Sequence, residues 1–158
     1  MSRAFVKESD ADALALPDRP ISPHPNLVTP DGLADIEHEL ARYHAVHAAA
    51  VAAADKPAID AAQRELRYWN ARRASAQVVE PRADQSQVTF GATVTVRRQN
   101  GHDKPARTQT FRIVGEDEAE PAKGTLSHVA PLARALFGKA VGDNVEIAGG
   151  DVEILAIS

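Results

Sequence analysis

Two carboxylates, Asp55 and Asp60, flank Lys56-Pro57 at the point where an apolar periodicity breaks in the first half of the chain. Asp is favoured at such breaks for backbone reasons, because its side chain bonds nearby amides and its charge suits a helix N-terminus. His38, His44 and His47 are the other candidates for chemistry, and the last two, three apart, share a helix face. No third ligand stands at a recognised spacing and no zinc signature is present, so no intrinsic metal or other cofactor is expected. Arg64, Arg67, Arg72 and Arg73 form a basic stretch. It reads either as a solvated face or as a surface for an acidic partner or RNA. Trp69 falls at packing spacing and reads as a partner for Tyr43 or Leu40.

The elements that must position these residues follow from capping and periodicity. Thr29-Pro30-Asp31 combines an N-cap, a proline suited to the first helical position and a carboxylate at the positive end of the dipole. From there Leu33, Ile36, Leu40, Tyr43 and His47 step by three and four, and Ala48 to Ala54 continue the helix. Proline at 57 restricts the residue before it and ends the run. Ile59, Ala62, Leu66, Trp69, Arg73 and Ala76 then repeat the spacing. The pattern predicts an antiparallel coiled-coil hairpin over residues 29–79, with arms of roughly 20–25 residues and a reach of about 30–37 Å.

Residues 1–28, with Pro17, Pro20, Pro23 and Pro25, read as a proline-rich tail, disordered or draped. Residues 80–87 read as a linker. Beyond it, β-branched residues from Val88 to Val96 and from Thr108 to Val114 predict strands, as do Asp143–Ala148 and Asp151–Ile157 around Gly149-Gly150. Pro131 to Phe137 predicts a short helix closed by Gly138. Residues 88–158 are therefore expected to be a small antiparallel sheet with one helix, and the whole chain α+β.

Composition narrows the partners. A formal net charge of −4 gives no overall basic footprint, so direct DNA binding is not the first choice. The absence of cysteine excludes disulfides and thiolate metal sites. No segment approaches the roughly 20 apolar residues of a membrane span, and the first residues lack the apolar run of a signal peptide. A cytoplasmic protein without membrane contact is expected.

The stretch from Leu126 to Asp143 carries a specific resemblance. Ala130-Pro131-Leu132-Ala133-Arg134, then Leu136-Phe137-Gly138-Lys139 and Gly142-Asp143, resembles the signature of the GreA/GreB transcription elongation factors, in which a serine-proline precedes an apolar residue and Ala-Arg. Phe90-Gly91-Ala92 and Phe111-Arg112-Ile113-Val114-Gly115 fit two weaker patterns of that family, and Ser2-Arg3-Ala4-Phe5-Val6-Lys7-Glu8 is similar to the start of GreB-like proteins. The resemblance implies an FKBP-like C-terminal domain that docks on bacterial RNA polymerase at its secondary channel, through Ala130, Pro131, Leu132 and Arg134. It also implies a coiled coil whose tip, here Asp55, Lys56 and Asp60, approaches the polymerase's catalytic Mg²⁺. There carboxylates of the family help hold a shared metal ion, and the polymerase remains the enzyme.

Two departures shape the expectation. The tip reads Ala53-Ala54-Asp55-Lys56-Pro57-Ala58-Ile59-Asp60, without the family's Gly-Asp-x-Ser-Glu-Asn stretch. The hairpin is also shorter by about one heptad per arm, which withdraws the tip by about 10 Å, against a metal–oxygen bond of about 2 Å. In this it resembles the regulator of nucleoside diphosphate kinase. Ala130 stands where the family has serine. The expectation is a monomeric, non-enzymatic elongation regulator that meets nucleic acid only within the transcription complex and modulates or competes with transcript cleavage. The alternatives are a prolyl-isomerase-like enzyme, for which Phe90, Phe111 and Phe137 are the only aromatics after residue 80, and a general interaction module that pairs through its hairpin.

Overall fold

A computed structural model describes residues 16–158. Strand β1 (Leu27–Val28) leads into helix α1 (Pro30–Ala52), which turns into α2 (Lys56–Ser75), followed by β2 (Gln77–Val78). Residues 80–87 carry neither helix nor strand. The second half contains β3 (Thr93–Gln99), β4 (Arg107–Val114), β5 (Thr125–Ser127), helix α3 (Pro131–Leu136), β6 (Asn144–Ile147) and β7 (Gly150–Ile157).

The hairpin begins as its caps dictate. The Thr29 hydroxyl accepts a hydrogen bond from Gly32 N at 2.9 Å, and Pro30 opens α1. At the far end Ala54 N donates to Val51 O and Asp55 N to Ala50 O, both at 3.0 Å, a Schellman closure. Its left-handed position is filled by Ala54, at φ 52°, where glycine is the usual occupant. Asp55 then caps α2 by accepting from Ala58 N at 3.2 Å. One turn therefore ends one helix and starts the next, over helices of 23 and 20 residues, about 34 and 30 Å long.

The seam buries Ile36, Leu40, Ala50 and Ala62, with Leu33, Tyr43, His47, Ile59, Leu66 and Trp69 half-buried. The expected seam residue Arg73 is instead exposed and pairs with Glu37 of α1 at 3.2 Å, while its neighbour Arg72 is buried. Trp69 packs edge-on against Tyr68 on its own helix, their ring centroids 5.0 Å apart.

In the second half the strand order is β5-β4-β3-β7-β6. All pairings are antiparallel except β4–β5, where Arg112, Ile113 and Val114 lie parallel to Thr125, Leu126 and Ser127. The sheet is thus mixed, which corrects the antiparallel expectation. A three-residue strand without hydrophobic alternation gives no sequence signal for such an edge. The strand expected from Val88 starts only at Thr93: Val88 and Phe90 are buried below the sheet, and Gly91 turns the chain at φ 84°. Val94, Val96, Ile113 and Ile154 meet Ala133 and Leu136 of α3 in one cluster. Each fully buried aliphatic there contributes roughly 1.5–3 kcal/mol.

Residues 17–28 of the proline-rich segment, read as disordered or draped, lie along α2. Pro17 O accepts from Arg64 Nε at 2.6 Å, Asp18 from Arg67 Nε at 2.8 Å, and Arg19 pairs with Glu65 at 2.7 Å while lying 3.7 Å from the Tyr68 ring centroid. Prolines exclude regular structure but not docking, and α2 offers the arm its arginines. The arm ends in β1, which pairs in parallel with β2. Residues 1–15, including Ser2–Glu8, lie outside the described residues.

The arm, α2 and the sheet converge on Arg72, whose side chain is 2% exposed. Its Nε donates to Asp117 Oδ2 and its Nη2 to Asn26 Oδ1, both at 2.6 Å, and Asn26 Nδ2 donates back to Arg72 O at 2.8 Å. Tyr68 donates to the other Asp117 oxygen. Gly115 lets the arm pass, since a Cβ there would collide with the carbonyl of Leu27. Removing one partner of a buried ion pair leaves the other charge stranded, so Arg72→Met should destabilise the protein by about 3 kcal/mol, read by urea unfolding. Ala54→Gly should instead stabilise it by roughly 0.5–1 kcal/mol in the same assay by relieving the left-handed alanine.

Candidate functional site

Helix α3 presents two faces. Ala133 and Leu136 point into the sheet and are fully buried, whereas Pro131 and Arg134, three apart, are exposed on the other side and Leu132 is half-buried between. The helix is reached from β5 by a tight connection in which Ala130 N donates to Ser127 O at 3.0 Å and His128 N to Val114 O at 2.9 Å. Its far end is tied to the buried segment before β3, with Gly138 N donating to Val88 O at 2.9 Å and Val88 N to Lys139 O at 2.8 Å. Six residues make a helix too short to hold itself, so its outward face is positioned by these ties and by Leu136.

Ala130 occupies the N-cap of α3 and offers no side-chain acceptor. A serine there would supply the missing cap, typically worth about 1 kcal/mol. The hydroxyl that Ala130 lacks therefore has a structural use as well as a contact one. Beneath the helix, His128 is buried with its ring edge-on to Phe90, and burial pushes its imidazole below the ordinary range. Outside, Arg134 Nη2 lies against His24 of the arm, 3.3 and 3.4 Å from the two ring nitrogens.

The tip residues sit at the opposite end of the hairpin. Asp55 is engaged as the cap of α2, and Asp60 pairs with Lys56 at 2.7 Å; all three are exposed. Around them Ala48, Ala49, Val51, Ala52, Ala53 and Ala54 are also exposed, so the tip surface is largely apolar. Among the described residues no group of three or more His, Asp or Glu side chains is placed to hold a metal ion.

The basic stretch of α2 is not a free face. Arg64 and Arg67 hold the arm, Arg72 is internal and Arg73 pairs with Glu37. Sequence reading missed the run Glu116-Asp117-Glu118, which binds the base of both helices: Asp117 takes Arg72 and Tyr68, and Glu118 accepts from the Thr29 hydroxyl at 2.6 Å. The signal was available as three consecutive acids directly after Val114-Gly115, where a strand gives way to a loop. Burial and the bond to Asp117 push the Tyr68 hydroxyl up to about 12, so it remains a donor. An open cleft of about 320 Å³ lies between Pro81, Arg82, Thr93, Arg112 and Ser158, with no aromatic side chain lining it.

No helix among the described residues is long and apolar enough to cross a membrane. The family described as transcription elongation factor GreA/GreB, C-terminal, matches residues 83–158. The transcription elongation factor GreA of Hyphomonas neptunium is 49% identical over 63 residues, 40% of this chain and 38% of that protein. The GreA of Paracoccus denitrificans is 38% identical over 86 residues, 52% of this chain and 53% of that protein. The matched segment thus spans about half, or less, of these relatives' length. A GreA/GreB factor from Nitrosomonas europaea superimposes over 84% of this chain and 98% of its own at 22% identity and a TM-score of 0.39, too loose to carry weight. Residues 83–158 are thus similar to the C-terminal domain of the GreA/GreB transcription elongation factors.

Proposed function

We propose that the protein is a non-enzymatic regulator of transcription elongation that binds bacterial RNA polymerase through the outward face of α3 and directs its hairpin into the secondary channel. The similarity of residues 83–158 to that family carries this reading, with the exposure of Pro131 and Arg134 on a helix fixed to the core. Arg134 supplies a forked cation for a carboxylate, Leu132 and Pro131 an apolar contact beside it. The clamp at Arg72 then fixes the direction in which the hairpin leaves this surface.

The tip argues for modulation of, or competition with, cleavage factors over cleavage support. A carboxylate that is to bind a hard cation needs free oxygens at about 2 Å. Here Asp55 and Asp60 already have local partners on a short probe. No Mg²⁺ chemistry of its own is assigned to the protein; any such ion belongs to the polymerase. The prolyl-isomerase alternative gains no support in the second half of the chain, since Phe90 and Phe111 are core residues and the cleft beside Thr93 and Arg112 has no aromatic wall.

Binding to purified core polymerase tests the first part. Arg134→Glu should weaken it by about tenfold or more, equivalent to roughly 1.4 kcal/mol, without altering the unfolding curve; unchanged affinity removes α3 as the docking element. On backtracked complexes the wild-type protein should leave transcript cleavage at its intrinsic rate, and Asp55→Ala and Asp60→Ala should behave alike. Strong stimulation that either substitution abolishes would show that the tip does donate ligands.

A further inference from the structure

The arm that docks on α2 has an exposed middle between two anchors. Upstream, Pro17, Asp18 and Arg19 bind Arg64, Arg67 and Glu65. Downstream, Asn26 is buried against Arg72 and Ser75, and Leu27 enters β1. Between them Pro20, Ile21, Pro23, His24 and Pro25 face solvent, with Ile21 47% exposed. Ser22 holds the bend by accepting from His24 N at 3.2 Å. Three prolines in six residues fix φ, so this segment has little conformational freedom left to lose on binding a partner. His24 sets it directly against Arg134, yet leaves Arg134 exposed.

From this we infer that residues 20–25 and the outward face of α3 form one composite docking surface, in which the arm adds an apolar ridge beside the Arg134 cation. The inference rests on the polymerase reading above. The partner surface it fits carries a carboxylate for Arg134, with His24 holding the guanidinium in place, and an apolar shelf beside that carboxylate for Ile21 and Pro23. An aliphatic side chain kept in water on a braced segment, next to a cation on a fixed helix, matches the apolar-plus-charged composition of protein contact sites. The arm is thereby a contact as well as a brace for α2.

The test is equilibrium binding of the full chain to purified core polymerase, with Ile21→Asp and His24→Ala beside Arg134→Glu, and thermal unfolding of each. Ile21 and His24 are exposed, so both arm variants should unfold like the wild type while binding about tenfold more weakly. If Arg134→Glu weakens binding and both arm variants bind as the wild type does, the composite surface is overturned while docking through α3 stands. If the wild type itself does not bind, the docking reading falls and the composite surface with it. If Ile21→Asp dissolves a dimer of the chain and leaves polymerase affinity unchanged, the ridge serves a second copy and the proposal is overturned.

Discussion

The buried guanidinium of Arg72 is the point on which the relation between hairpin and sheet depends. It joins Asn26 of the arm, Asp117 of the loop after β4 and its own place on α2. A charge out of water is tolerable only when its donors are met, and here Asp117, Asn26 and the nearby Glu116 surround it. Such a pair adds less to stability than its Coulomb energy suggests, because both ions lose hydration. Its geometric consequence is larger: one side chain of α2 holds Asn26 of the arm and Asp117 of the loop together. The Glu118–Thr29 bond repeats the device at the start of α1, so adjacent residues of one loop hold the base of both helices.

Rigidity is distributed accordingly. The sheet and α3 are packed by branched aliphatics, whereas the hairpin beyond Leu40 has mostly alanine to offer. Alanine favours the helix but brings little buried area, so the outer hairpin is held by its own backbone, by the Schellman turn at Ala54 and by the Asp55 cap. The arm compensates on one side by pairing with Arg64, Arg67 and Glu65. The outcome is a slim hairpin with a firmly set base, whose tip exposes small apolar residues beside Asp55, Lys56 and Asp60.

Much of this was legible in the residues. Thr29-Pro30 marked the start of α1 because a cap and a preset φ are local properties, and Asp55-Lys56-Pro57 marked the turn for the same reason. The α3 signature stood out because Pro131 and Gly138 are both a family pattern and helix punctuation. Less legible were pairings that depend on distant partners. Short β1, β2 and β5 have no periodicity to read, and the proline-rich arm carries no mark of the surface that receives it.

The two helices, their shared turn, most of the strands and the GreA/GreB-like signature of the second half are written in the residues. Each of these rests on capping, alternation or a contiguous motif. The tertiary structure alone decided which charges are internal. Arg72 and Arg73 are adjacent and chemically identical, yet one is buried and the other exposed. A rotation of about 100° per residue places only the first against Asp117 and Asn26, and nothing in the local sequence records where those partners lie.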